Sequence, residues 1–182
     1  MTLYICAHGA WYQKEVMELA KVFYPGYTVA EVQARPALTG GDVFLECTHR
    51  ETPKGIAASV AYATESPSVS TENASVSTGN TSVSTEDTSV STEGEVSIPV
   101  LHTQAGKRAA KNHIKRLEYD LLSRITGQVP PWGIVTGVRP VKLTHQRLRE
   151  EQDIASLLAY LQDEYRMSPE KARLLSDIAQ VQ

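Results

Sequence analysis

The chain has 182 residues, a formal net charge of −3, 41% hydrophobic and 21% charged residues, an ordinary balance for a globular protein. No apolar run approaches the ~18–20 residues of a membrane helix, and Met1–Ala7 lacks the basic and apolar regions of a signal peptide. Two cysteines, Cys6 and Cys47, are too few for a disulfide framework and read as small buried hydrophobes, which makes a cytoplasmic address the expectation.

Thr2–Ala7 alternates Leu3, Ile5 and Ala7 against Tyr4 and Cys6, the pattern of a buried strand. After the turn signal His8-Gly9, Trp11–Phe23 places Val16, Leu19, Ala20 and Phe23 at helical spacing, and Pro25-Gly26 stops it. Further strands are predicted over Tyr27–Ala34, Asp42–His49, Gly55–Ala63 and Val96–His102. Strands this close in sequence, without crossover helices, are expected to pair antiparallel. Thr39-Gly40-Gly41-Asp42 is too short for a phosphate loop and reads as a turn.

Thr64–Ser97 holds 17 Ser or Thr in 34 residues and repeats with period seven: SVSTENA from Ser68, SVSTGNT from Ser75, SVSTEDT from Ser82 and SVSTEGE from Ser89. Each copy has one reliable apolar residue, where a coiled coil needs two. Such a sequence buries too little to offset an ordering cost of about 1–2 kcal/mol per residue. A solvated, flexible insertion at a hairpin tip is therefore expected, with a short β-rich repeat stack as the alternative.

From Ala105 the sequence turns helical. Ala110, Ile114, Leu117, Leu121 and Ile125 form an amphipathic stripe, and Lys107, Lys111 and Lys115 line up away from it. Residues 107–150 carry 10 basic and 3 acidic residues, so this segment alone raises the question of nucleic acid. A solvated helix face is the preferred reading, because no aromatic platform is interleaved; nucleic acid is not an expected partner. The five histidines show no helical metal-ligand spacing, and no metal site or Cys-His pairing is predicted. Pro140 opens a helix over Val141–Glu150. Ile154, Leu157, Leu158 and Leu161 mark another, and Ser168-Pro169-Glu170 caps a last one with Ala172, Leu175, Ile178 and Ala179 inward.

These elements predict an α+β fold: a small, mainly antiparallel N-terminal sheet with one or two helices, then a helical C-terminal segment. Residues 1–63 and 96–104 form the α+β layer, 64–95 the repeat insertion and 105–182 the helices. Between Pro130 and Pro140 lies the most distinctive stretch. Trp132 is held between Pro131 and Gly133, and Arg139 stands at a helix N-terminus, where a cation opposes the helix dipole unless an anion compensates. Arg139 is therefore an anion-binding or domain-docking candidate, with Trp132, Thr136, Lys142 and His145 beside it; an Arg139 salt-bridged internally to lock the loop is the alternative.

The run from Pro131 to Leu143, Pro-Trp-Gly-Ile-Val-Thr-Gly-Val-Arg-Pro-Val-Lys-Leu, resembles the signature ahead of the radical-SAM domain in HemZ-type coproporphyrinogen III dehydrogenases, relatives of the oxygen-independent coproporphyrinogen oxidases. Tyr165–Ala172 and Leu174-Leu175 resemble the segment that follows. The resemblance spans about Leu117–Gln182, is loose over Met1–Ala63 and absent over the repeats. It implies a parent enzyme of haem and porphyrin biosynthesis that uses a [4Fe–4S] cluster and S-adenosylmethionine to decarboxylate two propionates of coproporphyrinogen III. Such a cluster needs three neighbouring thiolates, and this chain has only Cys6 and Cys47, far apart in sequence. The resemblance thus implies a non-catalytic N-terminal region, truncated before its barrel, whose partners would be that barrel and the substrate carboxylates. A binding module using the basic helix 107–116 and an inactive remnant are the alternatives.

Overall fold

Side-chain alternation sets the first strand. β1 (Thr2–Ala7) turns Leu3 and Ile5 to one face, both fully buried, and Cys6 to the other. α1 (Gln13–Phe23) follows and buries Val16, Leu19, Ala20 and Phe23, the four positions whose spacing predicts that face. β2 (Thr28–Glu31) lies parallel to β1 on one edge, and β3 (Val43–Thr52) lies parallel to it on the other. β4 (Gly55–Thr64), β5 (Thr81–Ser84) and β6 (Ser89–Ser97) extend the sheet antiparallel, in the order β2-β1-β3-β4-β6-β5. The computed structural model describes residues 1–9, 11–53, 55–64, 81–84, 89–97, 103–136, 140–150 and 153–181.

The α+β class holds, and the sheet is mixed. The antiparallel expectation holds from β3 onward and fails at β1. The reason is local. α1 supplies the crossover that a parallel β1–β2 pair requires, and β2 leaves the far edge of β1 to β3. The predicted strand Val96–His102 is corrected to Ser89–Ser97; residues 98–102 lie outside the described ones. β6 begins at the first residue of the last repeat because nearly the whole length of β4 offers it a hydrogen-bonding edge, from Ala63↔Ser89 to Gly55↔Ser97. Two stretches of the Ser/Thr repeat are thus strands rather than solvated coil, and Thr92 within it is buried. Residues 65–80 and 85–88 lie outside the described ones.

Two compact units divide at Gly127: Met1–Gly127 and Gln128–Gln182. α2 (Gln104–Thr126) therefore belongs with the sheet, a correction to its grouping with the C-terminal helices. Its Ala110, Ile114, Leu117 and Leu121 are buried, and Phe23 of α1 meets its Tyr119 edge to face at 5.6 Å. Thr103 caps its start by accepting the Gly106 N–H at 3.0 Å, and Gly127 closes it in the left-handed conformation. The helices cover the face bearing Leu3, Ile5, Leu45, Cys47, Val60 and Tyr62. The opposite face carries a smaller cluster of Cys6, Phe44 and Ala63 under Tyr4, Val32 and Leu38.

In the second unit, α3 (Pro140–Glu150), α4 (Ile154–Tyr165) and α5 (Pro169–Val181) pack on one another. Asp153 caps α4 by accepting the Ala155 and Ser156 N–H groups, and Ser168 Oγ accepts the Lys171 N–H at the start of α5. Leu157, Leu161, Ala172, Leu175 and Ala179 are buried as the spacing predicts. Ile154 and Ile178 are not, and with Leu174 they are exposed apolar residues. No helix among the described residues is long and apolar enough to cross a membrane.

Candidate functional site

The signature turn is built into the second unit through its backbone. The Ile134 N–H donates to the Tyr165 carbonyl at 2.8 Å, and the Ser168 N–H donates to the Pro131 carbonyl at 2.9 Å. These two bonds clamp the turn onto the junction between α4 and α5. Gly133 makes the approach possible. Its φ is +58°, and a Cβ there would stand 1.9 Å from the Tyr165 carbonyl oxygen. Trp132 is half-buried with the Lys171 ammonium 5.0 Å from its ring centroid. Thr136 is half-buried, and so is His145 on α3. Arg139 lies outside the described residues. Lys142 falls in α3, and its side chain is likewise outside them.

The basic row on α2 does not stay in solvent. Lys107 is exposed, Lys111 donates to Glu15 of α1, and Lys115 is buried. Burial pulls the Lys115 pKa down, while Glu118, Glu15 and Glu18 push it back up. Glu118 is fully buried, with neither carboxylate oxygen hydrogen-bonded. Burial raises its pKa well above the usual carboxylate range, with Lys115 pulling it down. The predicted row of solvated lysines is thus corrected at Lys115, which is buried; among the basic residues over 107–116 only Lys107 and Arg108 are exposed.

A third group lies where β1 ends. Cys6 and His8 lie two residues apart, so strand alternation points both to the same side, and Glu46 is paired with Cys6 across the β1–β3 ladder. Cys6 Sγ is 3.4 Å from His8 Nε2, and Glu46 Oε1 is 2.8 Å from that same nitrogen. Burial, and secondarily the Glu46 charge, pushes the Cys6 thiol pKa up. The exit of β1 is held rigidly. The Cys47 carbonyl accepts both the His8 N–H at 2.9 Å and the Tyr12 hydroxyl at 3.0 Å. Gly9 leaves room for Tyr12, whose ring a Cβ would meet at 2.3 Å. The ring of Tyr12 meets His49 and Trp11 edge to face.

The expectation of no metal-ligand grouping rested on helical spacing. Here Cys6 lies on β1, His8 just past its end and Glu46 on the neighbouring β3, and the signal that could have found them is a Cys-x-His pair at the end of a strand pattern. The two cysteines do not fit an iron–sulfur cluster. Cys47 faces the helices and Cys6 the opposite side, so the sheet separates the thiols.

Over 71 residues the chain is 35% identical to the oxygen-independent coproporphyrinogen-III oxidase-like protein HemZ of Bacillus subtilis (strain 168). The similar stretch covers 39% of this chain and 14% of that protein. No protein-family profile matches the chain, and no solved structure matches it. The fold defines an α+β protein with a helical C-terminal unit, similar over part of its length to an oxygen-independent coproporphyrinogen-III oxidase-like protein.

Proposed function

We propose that this chain is a non-catalytic, cytoplasmic accessory region of HemZ-like type, which docks against a radical-SAM barrel acting on coproporphyrinogen III. The observation that supports this reading is the use made of the signature residues. Pro131, Trp132, Gly133 and Ile134 hold the α4–α5 junction by backbone bonds and packing, the work of a scaffold rather than of a reaction centre. Leu174 and Ile178, one turn apart on α5 and both exposed, offer an apolar strip that a neighbouring domain would cover. In sequence, Arg139 immediately precedes α3 and Lys142 falls within it, and their positive charge would suit the barrel or the substrate carboxylates.

The test is binding between the full chain and the separately purified barrel of a HemZ-like protein. Co-elution at micromolar concentration is expected, weakened about tenfold or more by Leu174→Asp with Ile178→Asp, a loss of at least ~1.4 kcal/mol. No co-elution with a soluble barrel would overturn the proposal. RNA binding that falls steeply with salt would favour the alternative on α2.

A further inference from the structure

We propose that Cys6, His8 and Glu46 bind a divalent transition-metal ion of the zinc class through Sγ, Nε2 and a carboxylate oxygen, with a fourth position open to water. This inference stands apart from the HemZ-like reading and uses none of its residues.

Convergence is the first argument. The three donor atoms all lie within 4.8 Å of one another. A tetrahedral ion with metal–sulfur bonds of ~2.3 Å and metal–nitrogen bonds of ~2.0–2.1 Å sets such donors about 3.3–3.6 Å apart. The 3.4 Å between Cys6 Sγ and His8 Nε2 is already in that range. The 2.8 Å between His8 and Glu46 is a hydrogen bond that must open by about half an ångström to admit the ion. Both side chains have room for it, being 47% and 37% exposed.

The second argument is the identity of the nitrogen. In a nucleophilic relay the thiol and the carboxylate engage different ring nitrogens, so that a proton passes through the imidazole. Here both face Nε2. One proton cannot lie on the line to both. If Nε2 carries it toward Glu46, the thiol has no acceptor there; if Nε2 accepts from the thiol, its lone pair faces a carboxylate. A cation between the three atoms resolves the conflict, because all three then present lone pairs to it.

The third argument is support and donor type. The β1–β3 ladder fixes Cys6 against Glu46, and the His8 N–H bond to Cys47 fixes the backbone that carries the imidazole. Thiolate, imidazole and carboxylate together suit zinc better than calcium or magnesium, which take oxygen donors. Three protein donors with one open position is the arrangement of accessible zinc sites rather than closed structural ones.

Cobalt(II), a spectroscopic substitute for zinc, titrated into the full chain decides the matter. A thiolate-to-cobalt charge-transfer band with tetrahedral d–d bands is expected, saturating at one ion per chain and abolished by added zinc. Cys6→Ser removes the charge-transfer band, and Cys47→Ser leaves it. The double variant His8→Ala with Glu46→Gln, at solvent-facing positions that do not threaten folding, weakens binding about tenfold or more. Circular dichroism checks the fold of each variant; if Cys6→Ser does not fold, the double variant decides alone. Absence of the band in the parent chain, its retention in a folded Cys6→Ser, or an affinity unchanged within about twofold in the double variant would each overturn the site. His8 and Glu46 would then be a surface hydrogen-bonded pair only.

Discussion

Gly133 carries two constraints at once. Its left-handed backbone excludes most side chains, and the space beside it is taken by the Tyr165 carbonyl. Replacement by alanine costs ~1–2 kcal/mol from the backbone alone, and the methyl must also push the turn off α4. Gly133→Ala is expected to lower unfolding stability by at least ~2 kcal/mol, measured as the urea midpoint of the intact chain; a loss under about 0.5 kcal/mol would contradict the clamp. The sequence marks this turn as unusual through its prolines and glycines. It hides why Gly133 is required, because the oxygen it makes room for belongs to a residue 32 positions later. The same distance effect hides Glu46 from His8, which lies 38 residues earlier.

At the scale of an element, α2 shows what amphipathic counting reads and what it misses. Its apolar stripe was legible at Ala110, Ile114, Leu117 and Leu121, all buried, while Ile125 at the same spacing is only half-buried. The inward charges were not. Whether Lys115 meets solvent depends on α1, whose Glu15 and Glu18 contribute to its electrostatics, and no periodicity within α2 encodes that neighbour. Glu118 gives this element a pH signature. Its folded-state pKa lies above the unfolded value of about 4.3. The stability it contributes is therefore complete below that value and is lost as pH rises through the folded one. Glu118→Gln is expected to flatten the decline in stability on the alkaline side of about pH 4.3, removing a slope of up to ~1.4 kcal/mol per pH unit. Urea midpoints across mildly acidic to neutral pH check this; an unchanged slope would show that Glu118 titrates as if in water.

For the molecule as a whole, helices α1 to α5 and strands β1 to β4 were legible from periodicity and punctuation. The strand order was not, because the parallel placement of β2 and β3 on either side of β1 is a choice between distant edges. The repeat was the least legible part. Its composition argues against order, and the edge of β4 nonetheless recruits β6 from it, and β6 in turn recruits β5. Backbone hydrogen bonds drive that pairing, so β5 needs only a β-compatible sequence rather than a particular one. Deleting residues 68–74, one copy of the seven-residue unit, is expected to leave stability within about 0.5 kcal/mol, since a change in loop length costs little. Thermal unfolding of the shortened chain measures this, and a loss above about 2 kcal/mol would mean that the first copy is itself packed into the fold.

The outermost strand has an evolutionary consequence. β5 is Thr-Ser-Val-Ser, and Ser-Val-Ser-Thr recurs at Ser68, Ser75 and Ser82. These copies share one Ser-Val-Ser-Thr sequence, so the sequence does not single out the copy that pairs with β6. A replication slip that adds or drops seven codons therefore changes which copy supplies the border of the sheet without removing the border. A change of length by whole seven-residue units is therefore expected to keep a strand of the same sequence at the border of the sheet.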